Sequence, residues 1–365
     1  MTRAGAQPRD PATTDGIAPA ETVAAVWRGG DRVDLEVFPV PPLADGEVLV
    51  SVDLATVCGS DRHTVSGRRV QPRPSILGHE TVGAVLAKRG RVRTVDGHEL
   101  RIGQRVIWSV TLPCGNCDRC RAGITAKCRH LQKAGHEALG SGWPLSGGYA
   151  QHVLLPPGMP IAAVGSGLPD ELAAPAACAT ATVMAVIERA GELRGRRVAV
   201  IGAGMLGLTA AAATASAGAA AVTAIDVSAG RRVLAERFGA TRAVADLADA
   251  GEIDALLEFS GSTAALQQGL RLLDIGGIAV LAGAVAPDGT LEISPEFIVR
   301  SHLSVRGQHN YEPRHLGAAL RFLEETAHTY PWAELVAAPR PLSEIRELLV
   351  TTPGPTPRYS VAPAR

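Results

Sequence analysis

The stretch that decides the fold is VAVIGAGMLGLTAAAATASAGAAAVTAID, residues 198–226. An apolar run leads into G-x-G-x-x-G at Gly202, Gly204 and Gly207, and an Ala-rich helical stretch and a second apolar run follow. Strand, glycine-rich turn, helix and strand in this order are typical of a dinucleotide-binding βαβ unit. Glycines there let the backbone approach a pyrophosphate at the start of a helix, so the turn, with Met205 and Leu206, is predicted to bind the cofactor.

Asp226 ends the second apolar run, 24 positions after Gly202. A carboxylate at that place can accept hydrogen bonds from the hydroxyls of an adenosine ribose. The same charge would repel the 2′-phosphate of NADP, so the sequence favours NAD. Arg231 and Arg232 follow a turn later; they either contact the adenosine, which would offset part of the repulsion, or belong to an exposed helix face.

Further apolar runs extend the βαβ pattern. DALLEFSG and IAVLAGA alternate with helical stretches, which predicts a doubly wound parallel sheet over residues 179–308. Before it, over residues 21–178, short β-branched runs alternate with Gly and Pro turns and predict an antiparallel β domain. Residues 309–365 are expected to return to that domain, and residues 1–20 to form a flexible N-terminus. The fold class is therefore α/β with a second, β-rich domain.

Composition fits two globular domains. The chain has 365 residues, 46% of them hydrophobic and 20% charged. Lys and Arg total 36, as do Asp and Glu, and this balance argues against nucleic acid or an anionic membrane as a partner. The N-terminal residues lack the apolar core of a secretory signal, and no apolar run of 18 residues is present, so we expect a cytoplasmic protein without a membrane span.

Four of the six cysteines form one compact constellation. Cys114, Cys117, Cys120 and Cys128 follow the pattern C-x2-C-x2-C-x7-C within residues 113–129. Four thiolates suit tetrahedral zinc, and a closed shell of this kind is structural because it leaves no position open for substrate. An iron–sulfur site and two disulfides are the alternatives.

The two other cysteines suggest a second metal site. Cys58 precedes His79 and Glu80 by about 20 residues, and Cys178 stands near the predicted domain boundary. Two cysteines and a histidine with an open fourth position are the ligand set of a catalytic zinc. A structural buried Cys58 and a core histidine remain the alternative on spacing alone.

Together these motifs resemble the zinc-dependent alcohol dehydrogenases of the medium-chain dehydrogenase/reductase superfamily. The resemblance rests on CGSD from Cys58, GHE from Gly78, GQRV from Gly103, the four-cysteine lobe, GAGMLG and FGA from Phe238, in family order. It implies a GroES-like catalytic domain and a Rossmann domain, two zinc ions per chain, NAD, a small alcohol or ketone substrate, and a homo-oligomer, dimer or tetramer.

The resemblance also assigns roles to single residues. It implies that Cys58, His79 and Cys178 hold the catalytic zinc, with Glu80 close enough to ligate when the metal shifts. Three residues would serve the reacting alcohol and the zinc site, and two more would contact the cofactor beside the glycine turn. By this likeness Ser60 bonds the alcohol oxygen, His63 passes the proton to solvent, Asp61 orients His79, Thr182 touches the nicotinamide, and Arg358 joins the glycine turn at the pyrophosphate. Gly59 departs from members that have a basic residue there.

Substrate choice is weakly encoded. Residues 135–152 and the glycine-rich helix resemble branches that act on phosphonate-related alcohols and on cyclitols, so we expect a secondary or polyhydroxylated alcohol. The loop between the first two ligands carries a cluster of cations, which suits an anionic substrate or is a solvated basic loop: Arg62, Arg68, Arg69 and Arg73. A zinc-free quinone or enone reductase and a non-catalytic zinc- and nucleotide-binding scaffold are the competing hypotheses.

Overall fold

The computed structural model describes residues 14–285, 288–354 and 356–363, which form two compact units. The first comprises the chain up to Ser166 together with Pro339–Thr351 and the residues from Ser360. The second comprises Gly167–Ala338 and Thr352–Tyr359.

Short strands dominate the first half of the chain, and strands alternate with helices in the second. The strands are β1 (Thr14–Gly16), β2 (Glu21–Gly29), β3 (Arg32–Pro39), β4 (Val48–Thr56), β5 (Ser75–Ile76), β6 (Glu80–Arg89), β7 (Arg105–Trp108), β8 (Thr111–Leu112), β9 (Gln132–Lys133), β10 (His152–Leu155), β11 (Ile161–Ala163), β12 (Arg197–Ile201), β13 (Ala221–Ile225), β14 (Arg242–Val244), β15 (Ile253–Glu258), β16 (Leu273–Leu281), β17 (Ser304–Gly307) and β18 (Ser360–Val361). The helices are α1 (Gly59–Val65), α2 (Asp118–Arg121), α3 (Asp170–Pro175), α4 (Ala181–Ala190), α5 (Met205–Ser216), α6 (Ala229–Arg237), α7 (Thr263–Leu270), α8 (Pro295–Arg300), α9 (Pro313–Thr326) and α10 (Ile345–Val350).

The main sheet of the first unit is antiparallel. Its order is β10-β4-β6-β7-β11, with β1 paired to β6 and β18 to β4. Strand β4 is central, and its run VLVSVDLAT is buried at almost every position because strands cover its edges and the core covers its faces. Leu49, Ile76 and Leu145 belong to the core beneath it. This arrangement holds the end of β4 rigidly, and the CGSD motif follows there.

The second unit is the predicted parallel sheet. Its order is β14-β13-β12-β15-β16-β17, and every strand pair is parallel. The chain runs outward from β12 in both directions, so the strand order reverses between β12 and β15. Ligands of such sheets bind outside the carboxyl ends of the strands at this switch point. The glycine turn lies there, directly after β12.

The boundaries between the two units differ from the domain boundaries that the sequence predicted. The first unit ends at Ser166 rather than at residue 178, because α3 and α4 are buried as one apolar helical segment in the second unit. The C-terminal residues do not return as one block: Pro339–Thr351 and the residues from Ser360 join the first unit, while Tyr311, α9 and Thr352–Tyr359 stay with the second. Helix α10 lies in the segment that joins the first unit, and it buries Ile345, Leu348 and Leu349.

The predicted flexible N-terminus, residues 1–20, falls outside the described residues up to position 13. From Thr14 the expectation is wrong. Thr14–Gly16 is strand β1, which pairs antiparallel with the end of β6, and the ammonium group of Lys88 lies 3.0 Å from the Asp15 carboxylate. The open edge of β6 and this ion pair order a segment whose composition alone reads as a loop.

One helical segment is long and apolar enough to cross a membrane by length and composition. It is Asp170–Ala190, 21 residues, and 72% of its apolar window is buried inside the protein. A core helix of a water-exposed domain passes the same test, so this is weak evidence for a span.

Candidate functional site: two cysteine clusters and a glycine turn

The four cysteines of the lobe converge on one centre. Their sulfur atoms all lie within 4.8 Å of one another, with Cys117 Sγ 3.5 Å from Cys120 Sγ and 3.8 Å from Cys128 Sγ. Tetrahedral zinc with Zn–S bonds of about 2.3 Å requires sulfur pairs roughly 3.8 Å apart. The donor set and its spacing therefore fit zinc.

Backbone donors favour the thiolate form at Cys117, whereas burial raises the pKa of Cys120. The N–H groups of Cys114 and His130 each lie 3.3 Å from Cys128 Sγ as donors. Hydrogen bonds from the backbone of Arg129 and of Cys120 lower the pKa of Cys117 to about 6. These donors stabilise the charged sulfur that a metal ligand must carry.

The second cluster lies in the first unit, where β4 gives way to α1. Cys58 caps the N-terminus of α1 and is buried, and His79 is buried immediately before β6. A ring nitrogen of His79 and Cys58 Sγ lie within 4.8 Å of each other. Ser60 Oγ lies 3.2 Å from His79 Nε2, so the thiol, the imidazole and the hydroxyl face a common point.

Asp61 contacts both His79 and the Cys58 backbone, and it lies on the side of the histidine ring opposite Ser60. Its Oδ1 lies 3.3 Å from His79 Nδ1, and its Oδ2 accepts hydrogen bonds from the Cys58 N–H at 3.1 Å and from the Tyr149 hydroxyl at 2.8 Å. Burial opposes a charged His79, but the negative groups of Asp61 and Cys58 outweigh it and raise the pKa of His79 to about 10. A carboxylate in this position fixes the ring so that Nε2 is presented to a ligand.

Two buried residues of this site were missed by sequence reasoning. The Tyr149 hydroxyl donates a hydrogen bond to Asp61, from which it is separated by 88 residues. A pair so far apart in the sequence has no local spacing pattern by which it could be predicted. His136 lies with its ring centroid 5.0 Å from that of His79, and its Nδ1 lies 2.7 Å from the carbonyl of Ala134. Burial, and then the charge on His79, lower the pKa of His136 well below its usual value, which keeps that ring neutral.

Glu80 and His63 occupy different surroundings. Glu80 is fully buried, and its Oε2 accepts a hydrogen bond from Thr56 Oγ1 at 2.7 Å. His63 is half-buried on the last turn of α1, and burial, followed by the charge of Arg68, lowers its pKa. A neutral imidazole at neutral pH can accept a proton, as a relay requires.

Cys178 and Thr182 belong to the second unit. Cys178 stands on a π-helical turn, Ala176–Thr180, between α3 and α4, and it is the one residue of that turn that is not fully buried. Turns of this kind interrupt helices at functional sites. Thr182 is buried in the first turn of α4. Because the proposed ligands Cys58, His79 and Cys178 come from both units, their joint site stays a prediction.

The glycine turn has the shape that its sequence predicts. A Cβ on Gly207 would lie 1.6 Å from the carbonyl oxygen of Gly202, and one on Gly202 would lie 2.9 Å from the backbone nitrogen of Ser260. Gly204 is the N-cap of α5, whose first residues are Met205 and Leu206. Backbone thus packs on backbone, which leaves a side-chain-free cradle at a helix N-terminus, and this fits a pyrophosphate.

The carboxylate of Asp226 supports the glycine turn, and its role at the ribose stays a prediction. Its Oδ2 accepts a hydrogen bond from the Ala203 N–H and its Oδ1 one from the Ser228 N–H, both at 2.8 Å. Arg231 lies 4.0 Å from the carboxylate, and Arg232 donates instead to the carbonyl oxygens of Asp226 and Val227. The negative charge of Asp226 is therefore only loosely countered.

Two further buried residues of the second unit, Glu258 and Arg358, are relevant to the site. Glu258, which sequence reasoning missed, is fully buried at the end of β15 and accepts hydrogen bonds from the Gly261 N–H at 2.6 Å and the Gly283 N–H at 3.1 Å. It ties together the loops beside the switch point. Arg358 is buried, and its backbone N–H donates to the carbonyl of Leu335. Its proposed role at the pyrophosphate stays a prediction.

The chain matches two family models. Residues 44–164 match the alcohol dehydrogenase GroES-like domain, and residues 206–325 match the zinc-binding dehydrogenase domain. The 5-exo-hydroxycamphor dehydrogenase of Pseudomonas putida is 32% identical over 338 residues, 86% of this chain and 90% of that protein. An L-threonine 3-dehydrogenase of Chelativorans is 31% identical over 296 residues, 76% of this chain and 80% of that protein. A solved alcohol dehydrogenase structure from Thermotoga maritima is similar with a TM-score of 0.86 at 26% identity, covering 94% of this chain and 99% of that one.

Proposed function

Because this chain belongs to the zinc-binding alcohol dehydrogenases, we propose that it oxidises a secondary or polyhydroxylated alcohol, a cyclitol, polyol or hydroxyalkylphosphonate, to the carbonyl compound, or runs the reverse reduction. Family membership makes it an oxidoreductase that uses zinc and a nicotinamide dinucleotide. The observation that carries the proposal is the constellation after β4 in which Ser60 meets the buried Cys58, Asp61 and His79.

We propose Cys58, His79 and Cys178 as the ligands of the catalytic zinc. Zinc bound there would make the alcohol hydroxyl acidic near neutral pH, and NAD would accept the hydride from the carbinol carbon. Ser60 is placed to hydrogen-bond the alcohol oxygen, since its hydroxyl already bonds His79 Nε2. His63 then carries the proton away, and Asp61 keeps the His79 ring in its orientation. Glu80 is a reserve ligand.

The cofactor proposed is NAD rather than NADP. The carboxylate of Asp226 is loosely countered by Arg231 at 4.0 Å, and a 2′-phosphate placed beside it would meet a negative charge. The turn of Gly202, Gly204 and Gly207 would receive the pyrophosphate, with Thr182 at the nicotinamide and Arg358 as a further contact. The four-cysteine lobe would hold a second, structural zinc, because its sulfur atoms close the shell.

The test combines metal analysis with activity. Cys58→Ser should lose one of two zinc ions and the activity while retaining its circular dichroism spectrum, and Tyr359→Phe should retain both zinc ions and serves as the handling control. Activity is followed as NADH formation over a panel of cyclitols, polyols and hydroxyalkylphosphonates.

Each competing hypothesis predicts a different result. A Cys58→Ser protein as active as the parent would refute the mechanism. One zinc per parent chain with enone reduction would indicate the zinc-free type of reductase, and NAD binding without turnover of any alcohol would indicate a scaffold. Cytoplasmic location and a dimeric or tetrameric state remain predictions.

A further inference from the structure

A cleft of about 360 Å³ opens in the first unit beside α1. Trp27 and Gly30, from the β2–β3 hairpin, form one wall, and Thr64 belongs to the end of α1. The loop over residues 66–73 forms the other wall and contributes Arg69 and Arg73. This loop is the basic segment that the sequence places between Cys58 and His79.

The cleft carries an excess of positive charge. None of the described residues that line it is Asp or Glu. Among the residues that the structure describes, no carboxylate lies within ion-pair distance of Arg68, Arg69 or Arg73. The acidic groups nearest the hairpin turn are already paired with other arginines: Asp34 and Glu36 with Arg28, and Asp31 with Arg346. The loop cations therefore have no internal counter-charge, unlike their neighbours.

Hydrogen bonds tie the loop to the rest of the first unit at two points. The Arg69 N–H donates to the carbonyl of His63 at 3.0 Å, and the buried Gln71 side chain donates to the carbonyl of Gly135 at 3.1 Å. The Arg73 guanidinium lies against the backbone of Gly29, where a Cβ would come within 2.4 Å of one of its nitrogens. The backbone of the loop is thus fixed at Arg69 and Gln71, and the Arg73 side chain packs on the hairpin, which limits the conformational entropy that these groups lose on binding.

We propose that this cleft binds a tetrahedral oxyanion, a phosphonate or phosphate group, carried by the alcohol substrate. Two guanidinium groups with no carboxylate partner can bond such a group through paired N–H donors. Thr64, which lines the cleft, lies one helical turn or about 6 Å of rise from Ser60 in α1, and its Oγ1 donates to the Ser60 carbonyl at 3.0 Å. The inference rests on the proposed function and narrows its substrate to an alcohol whose anion lies a few bonds from the carbinol carbon.

The first experiment measures binding without catalysis. Methylphosphonate is titrated into the zinc-loaded protein by calorimetry, with the parent, Arg69→Gln and Arg73→Gln proteins compared. We expect the dissociation constant to rise at least tenfold in each variant, as for the loss of one charge-assisted pair of hydrogen bonds. Arg68→Gln is the matched control, since Arg68 shares the loop but does not line the cleft, and its constant should change less than about twofold.

The second experiment compares a 2-hydroxyalkylphosphonate with its neutral dimethyl ester as substrates. The parent should have the lower KM for the phosphonate. Arg69→Gln and Arg73→Gln should raise that KM more than the KM for the ester, which removes the preference, whereas Arg68→Gln should keep it. Competition between methylphosphonate and NADH would assign the anion site to the cofactor and overturn the inference. Equal KM values for both substrates, with methylphosphonate still bound, would identify a site for free anions and overturn it as well.

The two proposals fail in different ways. Oxidation of neutral alcohols with no effect of the arginine substitutions would leave the dehydrogenase proposal intact and refute the anion cleft. Methylphosphonate binding that depends on Arg69 and Arg73, in a protein that oxidises no alcohol on the panel, would refute the dehydrogenase proposal and with it the narrowing of the substrate.

Discussion

Tyr149→Phe is expected to weaken both the fold and the metal site from a distance. The Tyr149 hydroxyl donates to Asp61 Oδ2 at 2.8 Å and lies 3.3 Å from the carbonyl of Thr56, and the side chain is 1% exposed. Asp61 in turn lies 3.3 Å from His79 Nδ1. Phenylalanine keeps the ring packed and removes one oxygen, so no cavity of any size is created.

The magnitude follows from the loss of one buried hydrogen bond to a carboxylate. Such bonds contribute about 1.5–3 kcal/mol, so the free energy of unfolding should fall by about 2 kcal/mol. Loosening a group that orients a metal-binding histidine costs roughly 10–100-fold in metal affinity. Since Tyr149 acts through Asp61, which retains its bond from the Cys58 N–H at 3.1 Å, we expect about tenfold, the low end of that range.

The assay is denaturant unfolding at fixed free zinc, together with a zinc competition against a chromogenic chelator. Tyr359→Phe is the control, because its hydroxyl makes only a 3.4 Å contact to the carbonyl of Thr352 and should contribute less than about 0.5 kcal/mol. If Tyr149→Phe unfolded at the same denaturant concentration as the parent and retained zinc equally well, the Tyr149–Asp61–His79 chain would have no role in holding the site.

Three further substitutions test other parts of the molecule. Gly207→Ala would place a methyl group 1.6 Å from the Gly202 carbonyl, so the dissociation constant for NADH should rise at least tenfold in a fluorescence titration while zinc content is unchanged; unaltered NADH affinity would contradict the cradle. Asp226→Asn should shift the preference between NAD and NADP by roughly tenfold toward NADP, measured as the ratio of kcat/KM values, and a ratio equal to the parent's would show that the carboxylate does not discriminate. Cys114→Ser should lose one zinc and lower the thermal midpoint, whereas a variant that retained two zinc ions per chain would exclude the lobe as a zinc site.

Most of the features that could be predicted from the sequence are encoded by residues close together in the chain. The turn from Gly202 to Gly207 and the lobe from Cys114 to Cys128 are each built within a few residues, so their spacing encodes their geometry. The second unit's sheet was predictable for the same reason, since each strand and helix has its own periodic pattern. Strand β14 was missed because three residues are too few to show one.

Hydrogen-bond partners that lie far apart in the sequence were not predicted. Tyr149 and Asp61 are separated by 88 residues, and Glu258 reaches Gly283 across 25. Such pairs depend on which strands lie side by side, and a single sequence does not encode that register locally. The order of β1 depends likewise on the edge of β6, not on the composition of the segment TDG itself.

The pairing of β18 with β4 has a consequence for how the protein is made. Ser360 lies opposite Thr56, two residues before Cys58, so the strand that leads to the first proposed ligand gains its last neighbour about 300 residues later in synthesis. At about 5–20 residues per second, a ribosome takes some 15–60 s to reach it. During that interval the end of β4 is an open sheet edge on a nascent chain, the kind of surface that pairs with other polypeptides. The edge of β4 that leads to Cys58 is therefore completed only after almost all of the second unit has been synthesised.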